Sequence, residues 1–238
     1  MHHNDTWEIY DDITDWILTP STMAQEDKFL MPKAIKFITT NTPVEYLDAL
    51  QFMQETIHGI RQGNEEVIWF LEHPPLYTAG TSAKDGDLLD SSLPVFQTQR
   101  GGKHTYHGPG QLIVYVMIDL KKRSNDVRLF VQALEEWIIN TLKAFGLNGM
   151  RKEGRIGVWL DDEKGERKIA AIGLRVTHGV IWHGLSLNVS PDLSHYHGII
   201  PCGLHEFGVT SLQAEGINIK IPQVIDIMKN STSKIFNT

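Results

Sequence analysis

Two hydrophobic periods alternate along the chain. Short runs rich in β-branched and aromatic residues, at 34–39, 66–71, 94–98, 111–119, 156–160, 168–176 and 180–189, read as strands. Between them lie segments with three- and four-residue spacing. Val44, Leu47, Leu50, Met53, Ile57 and Ile60 form one stripe, opened by the capping-box sequence Thr42-Pro-Val-Glu45 and stopped by Gly63. Residues 126–145 form another, with Val127, Phe130, Val131, Leu134, Trp137, Ile138, Thr141, Leu142 and Phe145 inward and Gly146 closing it. A modest third helix is predicted over 222–236. The last three long strands form a meander, joined by Asp161-Asp-Glu-Lys-Gly165 and by His178-Gly179. Strands with helices segregated between them predict an α+β fold with mixed or antiparallel sheets and helices packed on them. Residues 72–83, with two prolines and a glycine, predict an ordered non-helical path on which His73 and Tyr77 either shape a pocket or end a strand.

The pattern breaks at Arg100-Gly-Gly-Lys-His-Thr-Tyr-His107-Gly-Pro-Gly-Gln111, where glycines and a proline alternate with polar side chains just before the most apolar strand. Such a stretch lets the main chain approach a ligand closely. Its charged and polar residues are costly company for a simple turn. Charge changes the picture at the other end. Residues 1–32 carry seven acidic side chains against Lys28 alone, so most of the formal charge of −7 sits there and residues 33–238 are close to neutral. The extension is either a disordered tail or, through Trp7, Tyr10 and Trp16, a docking segment. Neither part has the basic excess of a nucleic-acid-binding protein. Its apolar runs are too short to span a membrane, and the absence of a signal core or Arg-rich leader predicts a cytoplasmic protein. No repeat or linker divides residues 33–238, which read as one catalytic domain.

One cysteine, Cys202, sits in Gly198-Ile-Ile-Pro-Cys-Gly-Leu204; it is either a small buried hydrophobe or a thiol held in a fixed turn with free backbone amides. Lys168 heads an otherwise apolar strand and either snorkels to water or turns inward, where its ammonium would favour a thiolate. His195, His197, Cys202 and His205 have spacing compatible with a metal site. The basic clusters Lys121-Lys-Arg123 and Arg151, Lys152 and Arg155 are either docking patches for an acidic partner or solvated turns.

Residues 100–111 quoted above, together with Glu72-His-Pro-Pro-Leu-Tyr-Thr-Ala-Gly80, Lys168-Ile-Ala-Ala-Ile-Gly173, His183-Gly-Leu-Ser-Leu-Asn188 and Pro201-Cys-Gly203, strongly resemble the lipoyl(octanoyl) transferases over about residues 34–215. The resemblance implies the catalytic-domain fold shared with biotin and lipoate protein ligases. It implies transfer of octanoyl from octanoyl-acyl carrier protein to a lysine of a lipoyl domain, in 2-oxoacid dehydrogenase complexes or the glycine cleavage H protein. Cys202 is then the acyl-thioester nucleophile, in preference to a metal ligand, and Lys168 tunes it. Substrate contacts fall at Arg100, Gly101, Gly102, Lys103, His104, Thr105, Tyr106 and His107, at Ala171, Ile172 and Gly173, and at Gly184, Leu185 and Ser186. No cofactor, metal or nucleotide is implied. Small residues on adjacent strands leave a slot for the acyl chain, whose six methylenes are worth roughly 5 kcal/mol when buried.

Overall fold

A strand that is apolar on both faces needs cover on both sides, and the run after the glycine-rich stretch obtains it at the middle of a sheet. The computed structural model describes residues 35–90, 92–200 and 207–236, the side chains of 233–235 excepted. The acidic extension and the segment that contains Cys202 therefore lie outside the described residues. In chain order the elements are β1 (Lys36–Thr39), α1 (Tyr46–Arg61), β2 (Val67–Leu71), β3 (Leu76–Ala79), β4 (Val95–Gln97), β5 (His104–His107), β6 (Gln111–Asp119), α2 (Val127–Lys143), β7 (Met150–Lys152), β8 (Arg155–Asp162), β9 (Gly165–Thr177), β10 (Val180–Asn188), β11 (Gly208–Val209) and α3 (Ile221–Phe236).

The main sheet runs β1-β2-β6-β10-β9-β8-β7, with β11 added to β9, and a small sheet runs β4-β3-β5. Both are mixed: β1 is parallel to β2, β11 to β9 and β3 to β4, whereas β6, β8, β9 and β10 pair antiparallel. Alternation then sorts the side chains. Ile68, Phe70, Val114, Val116 and Leu185 join α2 and α3 in one core, while Trp69, Ile113, Tyr115, Met117 and Trp182 face α1 in a second.

The α+β class with helices on mixed sheets is as expected; the local differences have physical causes. Helix α1 starts at Tyr46, and its N-cap Glu45 makes no side-chain cap, so the capping box does not form. Residue 44 is instead tied to the end of β2, its N–H donating to the Glu72 carbonyl at 2.9 Å and its carbonyl accepting from His73 Nδ1 at 2.6 Å. The later start turns Tyr46 and Ala49 inward and leaves Leu47 61 % exposed. Val127, expected inward, opens α2 on the exposed side. Strands β3 and β5 lie within stretches read as loops, because each is only four residues long and β5 finds its partner in β3, some thirty residues back, rather than in its sequence neighbours.

Arg123, offered above as part of a docking patch, is a structural residue. Its guanidinium grips both oxygens of Glu66 at 2.8 Å each, Glu66 also accepts the Asp119 N–H, and the two side chains are 9 % and 3 % exposed. Arg123→Met, which strands a buried carboxylate, should cost about 3 kcal/mol in urea unfolding. A loss below about 0.5 kcal/mol would mean that Glu66 is solvated.

Candidate functional site

The glycine-rich stretch is stitched between the two sheets by its first residue. Arg100 donates from Nε and Nη2 to Thr78 Oγ1 (3.2 and 2.7 Å), from Nη2 to the carbonyls of Thr78 and Lys103 (2.8 and 2.9 Å) and from Nη1 to that of Gly101 (2.9 Å). On the opposite side Gly101 N–H donates to the Leu174 carbonyl of β9 at 2.9 Å, so the loop lies on the main sheet. Two glycines make this approach possible. A Cβ on Gly80 would overlap the Gly102 carbonyl, and one on Gly173 would stand 3.0 Å from Arg100 Cδ and 3.1 Å from the Gly101 carbonyl.

Beneath the loop, β9 and β10 bring two of the predicted triplets into direct register: Gly184 opposite Gly173, Leu185 opposite Ile172, Ser186 opposite Ala171. Ile172 and Leu185 point into the α2/α3 core and can offer a ligand only their backbone. Ala171, Gly173 and Ser186 share the other face. Lys168 would lie on the wrong face if β9 were regular. Val158 of β8 pairs with Ala170, however, and Trp159 with Lys168, so Ile169 is left without a partner. This bulge inverts the alternation and puts Lys168 on the face of Ala171 and Gly173. The lysine is 9 % exposed, with Nζ 4.8 Å above the Trp159 ring centroid. Phe207, the residue at which the described chain resumes, packs edge-on to the same ring at 5.6 Å. β11 then pairs Gly208 with Arg167 and Val209 with Lys168. On the other side of residues 201–206, Ile200 N–H donates to the Asp87 carbonyl at 2.8 Å, and Asp87 faces Lys103 at 3.6 Å. Both flanks of residues 201–206 are thus anchored, one through Asp87 to the Lys103 side chain of the glycine-rich loop and the other by the pairing of β11 with β9 at Lys168.

The remaining predicted contacts divide. Lys103 is engaged by Asp87. Thr105 pairs with Thr78 on β3, and Tyr106 is buried in the small sheet's own core, stacked on His195 at 4.9 Å. His104 is buried, and its Nδ1 has no hydrogen-bond partner among the described residues. His107 belongs to a satisfied network. Gln111 Nε2 donates to Asn188 and Tyr196, which leaves Gln111 Oε1 to accept from His107 Nδ1 at 2.7 Å, so His107 Nε2 takes the Thr78 hydroxyl proton at 3.3 Å. His73 is fixed in the same way: Nδ1 donates to the Val44 carbonyl and Nε2 accepts from Tyr115 at 2.7 Å. His183 has a left-handed backbone (φ 62°) in mid-strand, strain of about 1–2 kcal/mol for a residue with a Cβ. Its ring stacks on Trp182 at 4.3 Å, and its Nε2 has no hydrogen-bond partner among the described residues. Sequence reasoning missed the roles of Thr78, which stands inside the 72–80 motif but was not singled out there, and of Trp159, which stands in none of the motifs. Cations that the sequence left open between docking patches and solvated turns are held by carboxylates: Arg151 meets Glu135 and Glu136, Lys152 meets Asp161 and Glu166, and Arg155 meets Glu166.

Burial holds all three of these histidines neutral. His73 is pushed down to about 4 by desolvation, His107 to about 3 by desolvation and then by His73, and His183 to about 3 by desolvation and then by Arg100 and Arg175. Two surface depressions, about 530 Å³ between α1 and β1 and about 380 Å³ beside Glu72 and Gly110, contain none of the slot residues. The unfolded chain takes up protons on these histidines below about pH 6.5 that the folded chain refuses until pH 3–4, so stability falls as pH falls through that window. The urea midpoint should drop between pH 6.5 and 5, with about one proton fewer taken up on unfolding in His183→Leu. A flat midpoint over this range would show the histidines to be hydrated.

The sequence profile described as "Lipoyl protein ligase A/B catalytic domain" matches residues 45–233. Among curated proteins the chain is 46 % identical to an octanoyltransferase of Wolbachia pipientis over 84 % of this chain and 99 % of that one. It is 46 % identical to one of Brucella melitensis (94 % and 92 % covered) and 53 % identical to one of Paramagnetospirillum magneticum (77 % and 88 %). Among solved structures it resembles a lipoate-protein ligase A bound with ATP, at TM-score 0.68 and 15 % identity over 85 % of each chain. It also resembles a bipartite lipoate protein ligase from Thermoplasma acidophilum, at TM-score 0.65 and 16 % identity over 86 % and 85 %.

Proposed function

Because the chain belongs to the lipoyl protein ligase A/B catalytic-domain family and its relatives at 45–53 % identity are octanoyltransferases, we propose that it transfers an octanoyl group from octanoyl-acyl carrier protein to a lysine of a lipoyl domain, through a thioester on Cys202. The acceptors are the lipoyl domains of 2-oxoacid dehydrogenase complexes and the glycine cleavage H protein, and the setting is the cytoplasm. Among the described residues no helix is long and apolar enough to cross a membrane.

The chemistry has two steps. The Cys202 thiolate attacks the thioester carbonyl, the new carbon–sulfur bond replaces the old one, and the carrier leaves as its thiol after taking a proton. The amine of the acceptor lysine then attacks the Cys202 thioester, an amide forms, the Cys202 thiolate is released, and the proton lost by the amine restores the one that Lys168 gave up in the first step. Thioester to thioester is near balance and thioester to amide is downhill, so no nucleotide is needed. Lys168 holds the thiolate electrostatically and supplies the proton to the departing thiol. The observation that carries this reading is the position of Lys168, turned by the Ile169 bulge onto the face of the small-residue slot, on the same Trp159 ring that receives Phe207.

Octanoyl transfer from the carrier to a lipoyl domain should proceed equally with and without ATP. Transfer that requires ATP and accepts free octanoate would make the chain a ligase of the same fold. In Lys168→Ala the alkylation profile of the thiol against pH should move up toward about 8.5. A profile that matched the parent enzyme's would remove Lys168 from the thiol's surroundings.

A further inference from the structure

We infer that Arg100, clipped by Thr78, is the end wall of the acyl slot and sets the upper limit of chain length; this rests on the octanoyl-transfer reading above. The slot face begins at Lys168 and passes Ala171, which stays half-buried, with Ser186 beside it. It ends at Gly173. There a Cβ would stand only 3.0 Å from Arg100 Cδ, so Arg100 lies directly on the strand and nothing passes between them. On the β10 side the stacked rings of Trp182 and His183 close the space past Gly184.

With the unpaired Ile169 left out, Gly173 is four strand positions from Lys168, roughly 13 Å at about 3.3 Å each. An extended octanoyl chain spans about three strand positions, roughly 10 Å on the same measure. A thioester carbonyl beside Lys168 therefore brings the eighth carbon to the near side of Arg100, and two further carbons run into it. The wall is stiff because the guanidinium that holds it has donors bound to Thr78, Gly101 and Lys103 at 2.7–3.2 Å. Arg100 so placed closes the slot with its Cδ and with Nη1, which would stand 3.5 Å from a Cβ on Gly173, while its other guanidinium donors are held in the loop.

The sign of one ratio tests this. Apolar burial without a wall favours longer chains, about fourfold per methylene, whereas a wall reverses the preference between eight and ten carbons. Hexanoyl, octanoyl, decanoyl and dodecanoyl thioesters should be compared in kcat/KM, and the matching non-transferable thioether analogues in calorimetric binding. The parent enzyme should reject decanoyl relative to octanoyl by at least tenfold in both. Thr78→Val, which removes the hydroxyl clip without touching the slot, and Arg100→Met should each raise the decanoyl-to-octanoyl ratio by tenfold or more. Ala171→Leu, on the near side of the wall, should shift the optimum to hexanoyl. An unchanged decanoyl-to-octanoyl ratio in both Thr78→Val and Arg100→Met would overturn the wall, as would a parent enzyme that prefers decanoyl. Failure of every thioester to be transferred would instead sink the acyl-transfer reading, while the thioether series still reads the wall.

Discussion

Side chains alternate along a strand, so a lysine at 168 and small residues at 171 and 173 share a face only if the count between them is changed by one. The unpaired Ile169 makes that change. It keeps Ile169 and Ala170 together in the α2/α3 core and turns Lys168 to the opposite side, onto the Trp159 ring. A regular β9 would have buried the ammonium among Leu134, Trp137 and their neighbours, where an unpaired charge is prohibitive. The bulge thus serves packing and position at once, since it brings the lysine to the face that Ala171 and Gly173 share.

The second sheet exists in relation to that face. Its strands are short; a guanidinium bound by Thr78, Gly101 and Lys103 ties them to the glycine-rich loop, and the Gly101 N–H bonded to the Leu174 carbonyl fixes that loop on β9. A partly buried cation imposes conditions on its neighbours. His107 and His183 are pushed well below the ordinary imidazole range, by desolvation first and with Arg100 contributing. Neutral rings then serve as hydrogen-bond relays, as His107 does between Gln111 and Thr78.

The strongly periodic elements were legible in the sequence: β2, β6, α2 and the β8–β10 meander lie within a few residues of expectation, because long apolar patterns leave few alternatives. The motifs were legible as well, and the structure aligns Ala171–Gly173 with Gly184–Ser186 pair by pair. What was not legible depends on contacts distant in sequence. The Ile169 bulge is defined by the partner strand, β5 by its pairing with β3, and the start of α1 by the Glu72 carbonyl. The basic clusters stayed open between docking patch and solvated turn because a cationic run in sequence says nothing of the carboxylates opposite, such as Glu66 for Arg123 and Glu166 for Lys152 and Arg155.

The central claim is that the slot beside Lys168 delivers an acyl group to a covalent carrier on this chain. Intact mass and peptide mapping after mixing with octanoyl-acyl carrier protein, in the absence of acceptor, tests it most directly. The account predicts one octanoyl group per chain, on the peptide that contains Cys202, discharged when a lipoyl domain is added. Octanoyl transfer to the lipoyl domain with no such adduct, and undiminished in Cys202→Ser, would contradict it.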